Sequence, residues 1–134
     1  MARSRLAYLL FIPLAFLLMG ARGAPLLDPD PINVPAGLTA QDVSKAIRTG
    51  IATRGWVPNK DEHGQIDAVL NLRDHTARIA INYDTKLVKV TYVSSDNLDY
   101  SEKNGARYIH RNYNNWIHNV VGDISRQLQV ASVK

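Results

Sequence analysis

The chain contains no cysteine. Disulfides, thiol nucleophiles, cysteine-based zinc sites and lipidation at an N-terminal cysteine are therefore all excluded. Charge imbalance is scarce as well. The 134 residues carry 16 Lys+Arg against 12 Asp+Glu. Arg3, Arg5 and Arg22 belong to a leader, and without them 13 basic and 12 acidic side chains remain, a net of +1. Non-specific nucleic-acid binding runs on phosphate neutralisation. A near-neutral domain carries no such footprint, so nucleic acid is set aside as a partner. The sequence also lacks G-x-G-x-x-G, a P-loop, H-E-x-x-H, an EF-hand loop and G-x-S-x-G, the short signatures of common cofactor, metal and nucleophile sites. No cofactor is expected.

What is present begins with the leader. Arg3 and Arg5 precede an apolar run from Leu6 to Met19, which ends at Gly20-Ala21-Arg22-Gly23. A bilayer span needs about 20 apolar residues, and this run is shorter. A basic start, a short apolar stretch and small residues after it read as a signal peptide. Residues 1–23 are assigned to it, with cleavage after Gly23, or alternatively after Ala21. An uncleaved anchor flanked by Arg22 is the competing reading. The protein is expected to be periplasmic or secreted.

Ala24 to Gly37 holds Pro25, Pro29, Pro31 and Pro35. Each proline fixes φ and lacks an amide donor, so residues 24–37 read as an extended, mobile linker. A single domain is then expected over residues 38–134. Its first helix starts with Thr39 and Asp42 at capping-box spacing, with Leu38 and Val43 placed as a staple. Val43, Ala46, Ile47, Gly50 and Ile51 share one face. Gly55 suits a helix C-terminus, and Gly50 is read as a close approach to a sheet. Trp56-Val57 suggests a short edge strand limited by Pro58, and Asn59 to Gly64 reads as a polar loop.

Period-two alternation follows in three runs. Ile66, Ala68, Leu70 and Leu72 share one face, then Ala77, Ile79, Ile81 and Tyr83, then Val88, Val90 and Tyr92. Such runs predict an antiparallel sheet with one buried face. Asn104-Gly105 signals a tight turn, here closing a small hairpin between Leu98–Tyr100 and Arg107–Ile109. Tyr113, Trp116, Ile117, Val120, Val121, Ile124 and Leu128 then repeat at helical spacing. The expected fold is α+β: an antiparallel meander of three to four strands, two helices on one face, in αβββα order.

The segment from Ser95 to Asn119 is unusually rich in Asn, Tyr and His. His110, Asn114 and His118 recur every fourth residue, which predicts a solvent-side stripe flanked by Arg111, Asn115 and Asn119. With Asn97, the residues His110, Arg111, Asn114, Asn115 and His118 are the candidate ligand-binding set. Flat rings and amides suit sugars or other polar polymers. The competing reading is structural: core aromatics and turn-forming asparagines. Two histidines two turns apart lie about 12 Å apart along a helix, too far to share one zinc, and no metal site is expected. Ser94 or Ser95 with Asp96 and His110 supplies the raw material of a nucleophilic site, although serine and aspartate after a strand more often form turns. Asp96, Asp99 and Glu102 are read as loop acids.

Val88-Lys89-Val90-Thr91-Tyr92-Val93-Ser94-Ser95-Asp96-Asn97-Leu98-Asp99-Tyr100 and Ile109-His110-Arg111-Asn112-Tyr113-Asn114-Asn115-Trp116-Ile117, with Gly55-Trp56 and Leu70-Asn71-Leu72-Arg73, resemble a family of small exported proteobacterial proteins, many of them predicted lipoproteins. The resemblance spans roughly Leu38 to Leu128. It implies location and architecture, and no established activity comes with it. Leu18-Met19-Gly20-Ala21 resembles a lipobox with alanine where the modified cysteine stands in such lipoproteins, so no lipid anchor is implied. The expected function is a non-catalytic envelope protein that binds an envelope protein or a cell-wall polymer, through the Asn/His face or a free sheet edge. A small periplasmic hydrolase of envelope material is the alternative, and a purely structural module that dimerises by edge pairing is a third.

Overall fold

The computed structural model describes residues 23–133. Apart from Gly23, the expected signal peptide lies outside the described residues. Among those residues the protein is α+β, with two helices and antiparallel sheets of five and three strands. In chain order the strands are β1 (Ala24–Pro25), β2 (Ile32–Asn33), β3 (Val57–Glu62), β4 (Gln65–Leu72), β5 (His75–Tyr83), β6 (Leu87–Asp96), β7 (Ser101–Lys103) and β8 (Ala106–Ile109). Helix α1 (Ala40–Ala52) follows β2, and α2 (Arg111–Ser132) ends the described chain. The large sheet runs β2-β6-β5-β4-β3 and the small one β1-β8-β7. The class agrees with the expectation, but the strand count and order exceed the αβββα meander.

The meander core follows the alternation. Ile66 pairs with Ile81 and Ile81 with Val90; Ala68 pairs with Ile79 and Ile79 with Tyr92. These rows make one apolar face, and both helices close over it. Val43, Ile47 and Ile51 of α1 and Tyr113, Ile117, Val120, Ile124 and Leu128 of α2 share one buried cluster with the strands. Each fully buried aliphatic side chain contributes about 1.5–3 kcal/mol before entropy is subtracted. Leu72, read as inward, is instead exposed where β4 reaches its turn. A bulge between Arg78 and Ile79 of β5 and the facing strand sets Val93 out to solvent.

The helix ends are built as their residues dictate. Thr39 Oγ1 accepts from the Asp42 amide at 3.1 Å, and Asp42 Oδ2 accepts from the Thr39 amide at 3.0 Å. Beyond α1 the Trp56 amide donates to Ile51 O and the Gly55 amide to Ala52 O, both at 3.2 Å. That bond pair defines the Schellman turn, and Gly55 supplies its left-handed residue at φ +95°. The turn delivers Trp56 into the core.

Gly50 does serve a close approach, but to α2 rather than to the sheet. A Cβ there would stand 3.1 Å from the Ile124 backbone. Beside this contact Asp123 is buried on α2, where Arg54 donates to it at 2.8 Å and Arg126 at 3.2 Å. The two helices are thus joined by a backbone-tight crossing and an ion pair.

Two expectations are corrected by the strands. Asn59 to Gly64 is not a loop: β3 runs to Glu62, and Glu62 pairs with Gln65 across a two-residue turn. His63 (φ 54°) and Gly64 (φ 77°) are both left-handed, the I′ geometry that matches strand twist. A histidine in the first position hides that turn from a search for Asn-Gly or Asp-Gly, and β3, nearly all exposed and polar, has no alternation to detect. Asn104-Gly105 makes the same turn openly, at φ 52° and 81°, between β7 and β8. The segment 24–37 is extended but docked, not a free tether. Ala24 and Pro25 pair with Ile109 and Tyr108, while Ile32 and Asn33 pair with Val88 and Leu87. Between its prolines, Leu26, Leu27, Ile32 and Val34 pack against the core. Proline removes single donors and leaves the apolar residues free to bury.

Gly50 and Gly122 give opposite predictions. Gly122→Ala adds a Cβ with nothing within 4 Å and should raise stability by about 0.5–1 kcal/mol through helix propensity. Gly50→Ala gains the same propensity but overpacks a helix crossing, at about 1–3 kcal/mol, and should lower the denaturation midpoint. A second check is alkaline. Burial, with the nearby Tyr92 phenol second, pushes the Tyr113 hydroxyl well above the ordinary range. The unfolded chain then loses this proton before the folded one, so stability should fall as pH climbs above about 10. Denaturation of Tyr113→Phe should show a shallower alkaline decline than the parent.

Candidate functional site

The six expected residues divide into two groups. Asn97 and His110 meet at the end of the sheet that carries the β4–β5 turn. Asn97 sits left-handed at φ 58°, its Nδ2 donates to Asp74 Oδ2 at 2.9 Å, and its carbonyl lies 2.6 Å from His75 Nδ1. The His75 ring stands 6.4 Å from both His110 and Trp116. His110 does not lie within the helix. It is the N-cap of α2, its Nδ1 accepting from the Asn112 amide at 3.1 Å while its own amide donates to Leu98 O at 2.8 Å. The solvent stripe expected from its spacing to Asn114 and His118 is therefore broken at its first residue.

Asn114 breaks it again. It is half-buried, and both ends of its amide are engaged. Nδ2 donates to Pro25 O and Oδ1 accepts from the Leu27 amide, each at 2.9 Å. Lys89 continues the same seam, reaching Asp28 at 2.9 Å and the Pro29 carbonyl. Asn114 fastens the N-terminal segment to α2, a structural task. Arg111, Asn115 and His118 are exposed on α2. Tyr100 and Tyr113 are likewise taken up in packing, Tyr92 stacking on Tyr100 at 4.8 Å and meeting Tyr113 edge-on at 5.4 Å.

The raw material for nucleophilic chemistry is dispersed. Ser95 Oγ lies 2.7 Å from Tyr92 Oη, and Asp96 pairs with Arg78 at 2.8 Å. Ser95 and Asp96 are successive residues of β6, so they point to opposite faces of the sheet. Among the described residues no serine hydroxyl is hydrogen-bonded to a histidine, and no three His, Asp or Glu side chains converge as metal ligands do.

A different site, missed by sequence reading, lies at the opposite end of the sheet. The first turns of α1 and the β3–β4 turn enclose an open groove of about 540 Å³ lined by Gln41, Ser44, Lys45, Arg48, Asp61, His63 and Tyr83, with Ala40 at its rim. Its floor is a hydrogen-bonded cluster. Ser44 Oγ donates to Asp61 Oδ2 at 2.7 Å, Tyr83 Oη donates to Asp61 Oδ1 at 3.0 Å, and Arg48 Nε reaches Ser44 Oγ at 3.2 Å and Asp61 Oδ2 at 3.7 Å. Burial, with Asp61 adding to it, raises the Tyr83 phenol above its ordinary value against the opposing Ser44 bond.

The backbone fixes this arrangement. The Tyr83 amide donates to Gly64 O at 2.8 Å, and a Cβ on Gly64 would stand 2.9 Å from Tyr83 O. The I′ turn is thus held against the end of β5, which sets His63 and Asp61 opposite α1. Ser44, Lys45 and Arg48 come from one side of a helix through i, i+4 and i+3 spacing. They lie at least 13 residues from Asp61 and 35 from Tyr83, and no short motif spans such gaps. The one local hint was Ser44, a polar residue beside the apolar stripe of α1.

No protein-family model matches the chain, and no similar curated protein or solved structure was found.

The role assigned to Asn114 is testable. Asn114→Ala leaves the Leu27 amide and Pro25 carbonyl without their partner, a loss of about 1–3 kcal/mol. It should lower the urea midpoint and speed amide exchange at Leu27, whereas Asn115→Ala and His118→Ala should stay within about 0.5 kcal/mol of the parent.

Proposed function

We propose that this protein is an exported, non-catalytic binding module of the cell envelope, and that it recognises an envelope component in the groove between α1 and the β3–β4 turn. Export rests on the basic, apolar and small-residue pattern of residues 1–23. Binding rests on the groove. Its floor is a closed hydrogen-bonded set in which Ser44 and Tyr83 donate to Asp61, while its rim presents Lys45, Arg48 and His63 toward solvent. A hydrogen-bonded floor beneath open donors is what preorganised recognition requires. Among the described residues no helix is long and apolar enough to cross a membrane.

The β3 edge of the large sheet does not favour strand addition. β3, at one edge of the large sheet, carries Pro58, a bulge before Lys60 and charged residues, devices that discourage strand addition. At the other edge, β2 covers the start of β6.

The purified protein should be retained by envelope fractions, and Lys45→Glu with Arg48→Glu should abolish retention while Asn115→Ala with His118→Ala leaves it intact. Retention lost through the α2 pair instead, or absent from the parent protein, contradicts the groove as the recognition site. Release of soluble fragments from the envelope material by the parent protein supports the hydrolase reading in its place.

A further inference from the structure

Deepening that reading, we propose that the groove is built for an oxyanion, a phosphoryl or carboxylate group of the ligand, held between the Arg48 guanidinium, Lys45 and His63. The charge inventory of the groove carries this. Asp61 is its single acid among the lining residues, and that carboxylate accepts from Ser44 and Tyr83 and is paired with Arg48. The Arg48 guanidinium offsets its charge toward an incoming anion. The carboxylate also works for the site, because together with Ser44 it takes Arg48 through Nε alone. The two terminal amino groups of Arg48 have no partner among the described residues. They form the outer edge of a planar fork, the geometry that receives carboxylate or phosphate through two parallel bonds.

Two further donors face the same space. No hydrogen bond or ion pair occupies Lys45 on α1 or His63 on the turn among the described residues. The nearest acid along the chain from His63 is Glu62, which leans toward Lys60 at 3.9 Å. Gln41 adds an amide at the rim. Donors thus stand on both walls, with Lys45, Arg48 and Gln41 on α1 and His63 on the hairpin. An anion between them is met from two sides, which a row of surface cations on one helix does not achieve. The volume of about 540 Å³ falls in the range of small-ligand clefts, about 300–1,000 Å³, so the bound group belongs to a molecule larger than the anion itself.

The test is a titration of the isotope-labelled purified protein, followed by amide shifts, with inorganic phosphate in one arm and acetate in another at constant ionic strength, and sodium chloride as the control. Saturable shifts confined to Lys45, Arg48, His63 and Gly64 are expected with phosphate, acetate or both. The arm that saturates at lower concentration identifies the head group. Arg48→Gln should weaken that binding at least tenfold, and Arg111→Gln on the far helix should leave it unchanged. Shifts that stay linear as in chloride, or an affinity indifferent to Arg48→Gln, overturn the proposal. Envelope retention in the absence of anion binding removes the oxyanion and leaves the binding module standing. Anion binding without envelope retention does the reverse.

Discussion

The structure depends on the crossing of α1 over α2 at Gly50. Three strands present a continuous apolar face, and neither helix alone is wide enough to keep it from water. The helices cover it together only if they lie close, and a glycine whose missing Cβ would stand 3.1 Å from the Ile124 backbone makes that approach possible. The ion pair from Arg54 to the buried Asp123, 2.8 Å long, sits beside the crossing. A buried carboxylate left unpaired is strongly destabilising, so this pair opposes any sliding of one helix along the other. Everything on α1, including the groove-lining residues, inherits its position from this contact.

The groove is a by-product of the same constraint. α1 enters through a capping box at Thr39 and leaves through a Schellman turn that places Trp56 in the core. Between those two fixed ends its polar side overhangs the β3–β4 hairpin. The hairpin in turn is fixed by its left-handed turn and by the short contact between Gly64 and Tyr83. Ser44, Asp61 and Tyr83 then fill the seam between helix and hairpin with hydrogen bonds, and Lys45, Arg48 and His63 are left at its mouth. The floor serves stability, and the rim is the part available for recognition.

The α2 surface shows how a sequence pattern can be real and still mislead. The fourfold spacing of His110, Asn114 and His118 is a fact of the sequence, yet spacing does not state where a helix begins. His110 turned out to be its cap, and Asn114 faces the N-terminal segment, because that segment packs its leucines across the start of α2. A proline-rich stretch gave no sign of docking, since proline content speaks to backbone donors while docking was decided by Leu26, Leu27, Ile32 and Val34. Likewise only the start of β3, at Val57, was legible, and its run through Pro58 to Glu62 was not. An exposed, polar strand has no alternation, and its membership of the sheet comes from β4 offering an edge.

Local chemistry was enough to determine the α+β class, the inward faces of β4 to β6 apart from Leu72, both helices, the caps at Thr39 and Gly55 and the Asn104-Gly105 turn. Each of these depends on residues within a few positions of one another, where periodicity and backbone preference act directly. The second sheet, the docked N-terminal segment, the burial of Asp123 and the gathering of Ser44, Arg48, Asp61, His63 and Tyr83 were decided only by the tertiary structure. Those depend on surfaces meeting across tens of residues, and a one-dimensional pattern holds no record of which polar side chains will share a seam once the apolar faces have closed.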